Sequence, residues 1–331
     1  MAVFTEVTPA QAQGLLTQLG LGTLHSLRGA TSGIENTNYF VSSDGGDYVL
    51  TLFERLTAEQ LPFYLRLMQH LARKGIPVPA PQSDGNGEIL HALNGKPASV
   101  VTRLAGSNQM SPRVADCAQV GAMLARMHDA AQDYPMQQPN LRGLAWWTET
   151  VPVVTPYLDA GQRALIESEL QRQQALADTP AYRALPRGPV HADLFRDNVM
   201  FDGDALSGFF DFYFAGCDAL LFDVAVCLND WCIDPGTGVL DPERAQAFVA
   251  AYDRERALTG EELALLPDLL CAAALRFWTS RLWDFHLPRD AAMLKPHDPT
   301  HFERVLTLRR EQPWHYRRAH EGAADHTDAI A

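Results

Sequence analysis

Positive charge is in short supply: 27 lysines and arginines stand against 40 aspartates and glutamates in 331 residues, a formal charge of -13. A nucleic acid or an anionic membrane would have to bind against that mean field, so both partner classes are set aside. Cysteine is scarce too. Cys117, Cys217, Cys227, Cys232 and Cys271 form no CxxC pair and no cluster with histidine, which excludes a zinc site of the usual spacing and points to reduced, buried thiols. There is no internal repeat, and no run approaches the roughly 18 to 20 apolar residues of a membrane span. The opening MAVFTEVTPAQAQGLL lacks the basic flank and apolar stretch of a secretory leader, so a cytoplasmic location is expected. Oligomeric state is left open.

What is present is an ordinary globular composition, 47% hydrophobic and 20% charged, in a chain long enough for two lobes around separate cores. The first hundred residues punctuate like a small antiparallel sheet. A glycine-bearing segment, Gly29 to Tyr39, leads into an apolar run to Ser42, a Gly45-Gly46 turn and a second run from Tyr48 to Phe53. Leu56 to Lys74 carries apolar residues at helical spacing and stops at Gly75, Pro77 and Pro79. Ile89 to Leu93 and Ala98 to Leu104 flank Asn94-Gly95, a pair suited to a type I′ hairpin turn. Beyond Leu104 helical periodicity takes over, from Ser111 and then over 159–177, 222–232, 242–256 and 260–285. Short strand-like pieces remain near Val190, over Val199 to Phe201 and over Leu206 to Asp211. The expected class is α+β and bilobal: residues 1–104 as an antiparallel-sheet lobe, 105–331 as a mainly helical one.

The sharpest local pattern is HADLFRDN, His191 to Asn198, followed past the Asp202-Gly203 turn by Gly208-Phe209-Phe210-Asp211-Phe212. Phosphoryl transfer to an alcohol needs a carboxylate at the incoming hydroxyl and oxygen ligands for Mg²⁺ on the phosphates. Asp193 suits the first task, and Asn198 with Asp211 the second. Taken singly, such Asp and Asn residues more often make surface turns; their joint spacing between two apolar strands, downstream of a sheet with its own glycine segment, favours the chemical reading.

Those residues resemble the catalytic and metal-binding loops of the aminoglycoside phosphotransferase and choline kinase group of protein-kinase-like folds, and the resemblance covers nearly the whole chain. It implies ATP and Mg²⁺ as cofactors and a small-molecule substrate. It sets the loop Gly33 to Tyr39, with Gly33 and Asn36, over the phosphates, and Thr102 and Leu104, in the segment between the lobes, at the adenine. It makes His191 and Arg196 supports of the catalytic loop and Asp223 its brace. One departure stands out: Thr51, in Tyr48-Val49-Leu50-Thr51-Leu52-Phe53, occupies the position of the group's phosphate-binding lysine or arginine. Either Mg²⁺ and another cation, Arg196 or Arg103, carry that charge, or the chain is a non-catalytic nucleotide-binding relative. Together with Glu35 to Phe40 and Leu228-Asn229-Asp230-Trp231-Cys232, the Thr51 strand resembles bacterial homoserine kinases of this fold. That implies phosphorylation of L-homoserine in threonine biosynthesis, with kinases for choline, aminosugars or aminoglycosides as alternatives. An amino-acid alcohol calls for an acid at its ammonium and a fork at its carboxylate; Asp230, Arg276 and Arg281 are the candidates.

Overall fold

In the computed structural model, which describes residues 4–30, 36–287 and 297–318, the chain opens with α1 (Pro9–Gln18). Thr8 and Gln11 close a reciprocal capping box at its start. Only Ala12, Leu15 and Leu16 of this helix are buried, too short an apolar stripe for periodicity to reveal, and neither α1 nor the strand after it was anticipated. There follow β1 (Leu24–Gly29), β2 (Thr37–Ser43), β3 (Gly46–Leu52), α2 (Pro62–Arg73), β4 (His91–Leu93) and β5 (Lys96–Thr102). The five strands make one antiparallel sheet in the order β1-β2-β3-β5-β4. Thr37, Tyr39, Val41 and Ser43 are buried and alternate with half-buried neighbours, the two-residue period of a strand with one covered face. Asn94 and Gly95 both take left-handed φ angles, 51° and 74°, as the expected hairpin turn requires.

The sheet has two different neighbours. Tyr39, Val41, Leu50, Leu52 and Val100 pack with Leu15 and Leu16 of α1 in a small separate core. Phe53 and Val101 instead join Phe63, Tyr64, Leu67, Met68 and Leu71 of α2 in the main core, which runs on into the second half. Pro62 at the first turn explains why α2 begins later than the apolar spacing from Leu56 suggests.

After β5 the chain leaves the sheet. A two-residue strand, β6 (Ser107–Asn108), is followed by α3 (Val114–Ala131), α4 (Leu144–Val154), α5 (Ala160–Ala177), the short α6 (Pro180–Arg183) and β7 (Arg187–Val190). Then come β8 (Val199–Asp202), β9 (Ala205–Phe209), β10 (Gly216–Ala219), α7 (Leu220–Trp231), α8 (Pro242–Glu255), α9 (Gly260–His286) and α10 (Thr300–Glu311). β6, β8 and β9 form one small sheet and β7 with β10 another. The α+β class expected from sequence is the class observed. α4 and α10 were not anticipated, and one expectation is corrected: α9 is long and apolar enough to cross a membrane, with a window of mean hydropathy 1.3. Of that window 72% is buried inside the protein, where α9 packs against α7 and α10 as a core helix.

Candidate active site

α7 is the rail on which the His191–Asn198 loop is mounted. Asp223, Cys227, Asp230 and Trp231 recur at the spacing of one helix face, and between them they hold successive points of the loop. Asp223, fully buried, accepts the backbone amides of His191 (Oδ2, 2.6 Å) and Ala192 (Oδ1, 2.7 Å). The Leu194 carbonyl accepts from Trp231 Nε1 at 3.0 Å and from Cys227 Sγ at 3.5 Å. Asp230 Oδ2 accepts the Arg196 amide at 2.8 Å and its Nε at 3.0 Å. Ala192 has φ 63°, which costs a residue with a Cβ roughly 1–2 kcal/mol. The two charge-assisted bonds to Asp223 flank this turn and offset that cost.

The loop's far end points the chemical groups. Asn198 Nδ2 donates to the Asp193 carbonyl at 2.8 Å and leans toward Asp193 Oδ2 at 3.4 Å. Both partners only accept, so the amide nitrogen faces them and the side-chain oxygen faces away. His191 Nε2 lies 2.8 Å from the Phe210 carbonyl, tying the loop to the residue before Asp211. Burial pushes the His191 pKa down, which keeps the ring neutral and donating. Asp211 itself is exposed and left-handed, φ 65° and ψ 57°, at the exit of β9. Gly208 permits the approach of this strand: a Cβ there would lie 2.3 Å from the Pro77 carbonyl.

Across from the loop stands Arg276 of α9, 3% exposed, with Nη2 4.0 Å from Asp193 Oδ1. Its guanidinium stacks 3.9 Å over Phe277 and 5.4 Å from the Phe214 ring. Nε is buried with no hydrogen-bond partner among the described residues. Burial lowers its pKa to about 10, opposed by the charge of Asp193, so it stays cationic at neutral pH.

Asp193, Asn198, Asp211, His191 and Arg276 are thus brought together. Asp230, half-buried, is engaged by the buried Arg196, which also donates to the Met110 and Asp230 carbonyls; this pair holds the loop. Burial raises the Asp230 pKa and Arg196 opposes it. Arg281 lies over Phe302 at 4.4 Å and reaches the Asp298 carbonyl at 3.4 Å, and the charges of Asp230 and Asp193 act on it without a direct bond to either. Thr51, 5% exposed, donates from Oγ1 to Asn38 Oδ1 at 2.7 Å across the β2–β3 register. Of the two cations considered for its missing charge, Arg196 is the loop anchor just described and Arg103 lies 4.5 Å over the Phe40 ring. Asn36 is half-buried at the entry to β2, and Gly33 lies outside the described residues. Thr102 bonds Ala80 through its amide (3.0 Å) and its hydroxyl (2.8 Å), while the Leu104 side chain crowds Gly208. A group not anticipated is Arg142, whose charge acts on both Arg276 and Tyr64 and whose guanidinium covers Trp146 at 4.5 Å. No motif surrounds it.

An acid beside a buried cation, with an amide oxygen and a second acid nearby, on a sheet-plus-helix frame, is the arrangement of a phosphotransferase. Residues 26–258 match the model of the phosphotransferase enzyme family, and the chain belongs to that family. Among solved structures, an amicoumacin kinase in complex with AMP-PNP, Ca²⁺ and amicoumacin superposes with TM-score 0.66 at 18% identity, covering 91% of this chain and 93% of that one. That likeness establishes the protein-kinase-like fold. Much nearer in sequence is the homoserine kinase of Polaromonas naphthalenivorans strain CJ2, 63% identical over 95% of this chain and 99% of its own. The homoserine kinase of Janthinobacterium sp. strain Marseille is 58% identical over 94% and 97%.

Proposed function

We propose that the chain is a homoserine kinase, transferring the γ-phosphate of ATP to the side-chain hydroxyl of L-homoserine in threonine biosynthesis. The observation that carries this reading is the 63% identity, over nearly the whole of both chains, to a protein of that activity. The site is consistent with it. Asp193 accepts the proton of the incoming hydroxyl and directs its oxygen at the phosphorus. Arg276, cationic, buried and 4.0 Å from that acid, meets the substrate carboxylate and fixes the hydroxyl's reach. Asp230 and Arg281 serve the substrate side at one remove, Asp230 by anchoring Arg196. His191 keeps the Asp193 and Asp211 segments in register.

Asn198 and Asp211 would hold Mg²⁺. Their donors are oxygens, which suits a hard cation. When bound, the ion neutralises charge on the transferring phosphoryl group. Residues 1–104 cover the nucleotide, with Gly33 and Asn36 toward the phosphates and the Thr102–Leu104 segment at the adenine. Residues 105–331 carry the catalytic and substrate groups. The partner is a small molecule, and the location is cytoplasmic.

A second reading, nucleotide binding without turnover, is favoured by Thr51 alone. Mg²⁺-dependent ADP release decides, with L-homoserine run beside choline, L-serine, L-threonine and an aminoglycoside, and Asp193→Asn as the blank. Turnover with L-homoserine, lost in the blank, is expected. ATP binding with no turnover on any acceptor would overturn the reading in favour of the second.

A further inference from the structure

Behind Asp223 runs a line of polar groups that the transfer reaction does not use. Asp223 Oδ2, besides the His191 amide, lies 3.2 Å from Nε2 of His128 on α3. His128 Nδ1 is 2.7 Å from the hydroxyl of Tyr252 on α8, and that hydroxyl is 3.3 Å from Arg256 Nη1. Arg256 Nη1 also donates to Glu262 Oε1 at 2.9 Å, while Glu262 Oε2 accepts the Thr259 amide in the capping box of α9. His128, Asp223, Tyr252 and Glu262 have no solvent exposure.

The donor directions along this line are fixed by chemistry. A carboxylate only accepts, so the proton between Asp223 and His128 sits on Nε2. Arg256 only donates, so the Tyr252 oxygen accepts from it and its own proton is turned to His128 Nδ1. From Arg256 to Asp223 every bond then points the same way, an arrangement in which each link polarises the next, and the His191 and Ala192 amides donate to the same carboxylate from the loop side. Burial leaves no water to replace a missing link. The helix whose start Glu262 caps is also the one that carries Arg276, so α9 meets the catalytic loop twice: once through this line and once where Arg276 approaches Asp193.

We propose that the Tyr252 hydroxyl, backed by Arg256 and Glu262, is a positioning group that acts through His128 and Asp223 to hold the His191–Asp193 turn in its working geometry. The activity arm of its test rests on the kinase reading above; the exchange arm does not. Tyr252→Phe removes one oxygen and keeps the ring, which contacts His128 edge-on with centroids 5.7 Å apart. The expected result is a loss of about tenfold in kcat per folded molecule, with KM for ATP and acceptor within about twofold, since a small misplacement of a reacting group costs rate more than binding. His128→Leu should lose as much, and adding Tyr252→Phe to it should lose no more. His128→Gln, which can still donate to Asp223, should recover most of the rate.

In parallel, amide hydrogen exchange over residues 190–196 should quicken in Tyr252→Phe while β2 and β3 keep their protection. A variant with lowered Tm but unchanged kcat and unchanged exchange over 190–196 would reduce Tyr252 to a packing residue and overturn the proposal. So would additive losses in the double variant. If the wild-type chain transfers phosphate to no acceptor, the exchange measurement alone decides: quickening localised to 190–196 supports positioning, and its absence refutes it.

Discussion

The helical half and the sheet half face the same reaction with unequal means. In the helical half each point of the catalytic loop has its own partner: Asp223 for two amides, Trp231 and Cys227 for the Leu194 carbonyl, Asp230 for Arg196, His191 for the segment leading to Asp211. In the sheet half, Thr51 of β3, set by resemblance at a phosphate-binding cation's position, donates across the sheet to Asn38. α2, PFYLRLMQHLAR, contributes no acid. The contrast teaches that, on the proposed reading, this chain concentrates its side-chain bonding on the His191–Asn198 loop rather than on the Thr51 strand.

The comparison is broken most sharply at Asp223. Asp223→Ala strands two loop amides and His128 Nε2 without a buried acceptor and leaves the left-handed Ala192 unsupported, so urea unfolding should show a loss of about 3–6 kcal/mol. Thr51→Val is its counterpart in the sheet. It gives up one hydrogen bond and keeps the shape, so a loss of about 1 kcal/mol is expected, with kcat within about twofold. A Thr51→Val variant as damaged as Asp223→Ala would erase the contrast.

Smaller still is a pH effect confined to the helical half. Burial holds the folded-state pKa of His191 below its ordinary value near 6.5, so the unfolded chain takes up that proton first. The stability contributed by neutral His191 is therefore complete above about pH 6.5 and is lost as pH falls through the folded-state value. His191→Gln should narrow the difference between urea midpoints at pH 7.5 and pH 5; an unchanged difference would assign the acid sensitivity elsewhere.

Much of this was legible in the chain itself, and the boundary follows distance along it. Asp193, Asn198 and Asp211 are separated by short, fixed spacings, so their pattern survives in one dimension. The frame was legible as well, because Asn94-Gly95 and the Gly45-Gly46 turn mark the hairpins and apolar periodicity marks the larger helices. The face of α7 was hidden although its members were not: Asp223 and Asp230 stood out singly, Cys227 read as a buried thiol and Trp231 as part of the Leu228–Cys232 resemblance, and their shared bond acceptor, Leu194, appears only in the fold. Arg276 and Arg281 looked equivalent in RFWTSRLW, and only the packing of α9 separates the one beside Asp193 from the one beside Asp298. Arg142 and the line from His128 to Glu262 join residues remote in sequence, and no local spacing encodes such contacts. Sheet and helices also share a core through α2, which a reading by composition divides between lobes.

The central claim, that one site pairs an acid for the hydroxyl with a buried cation for the acceptor's carboxylate, is tested most directly by the ratio of kcat/KM for L-homoserine to that for 3-amino-1-propanol, the same alcohol without the carboxylate. It should be measured in the wild-type chain and in Arg276→Met. The account predicts a strong wild-type preference for L-homoserine that falls about 10- to 100-fold in the variant, the worth of a buried charge-assisted pair, with KM for ATP unchanged. A ratio untouched by Arg276→Met, or no preference in the wild type, would contradict it.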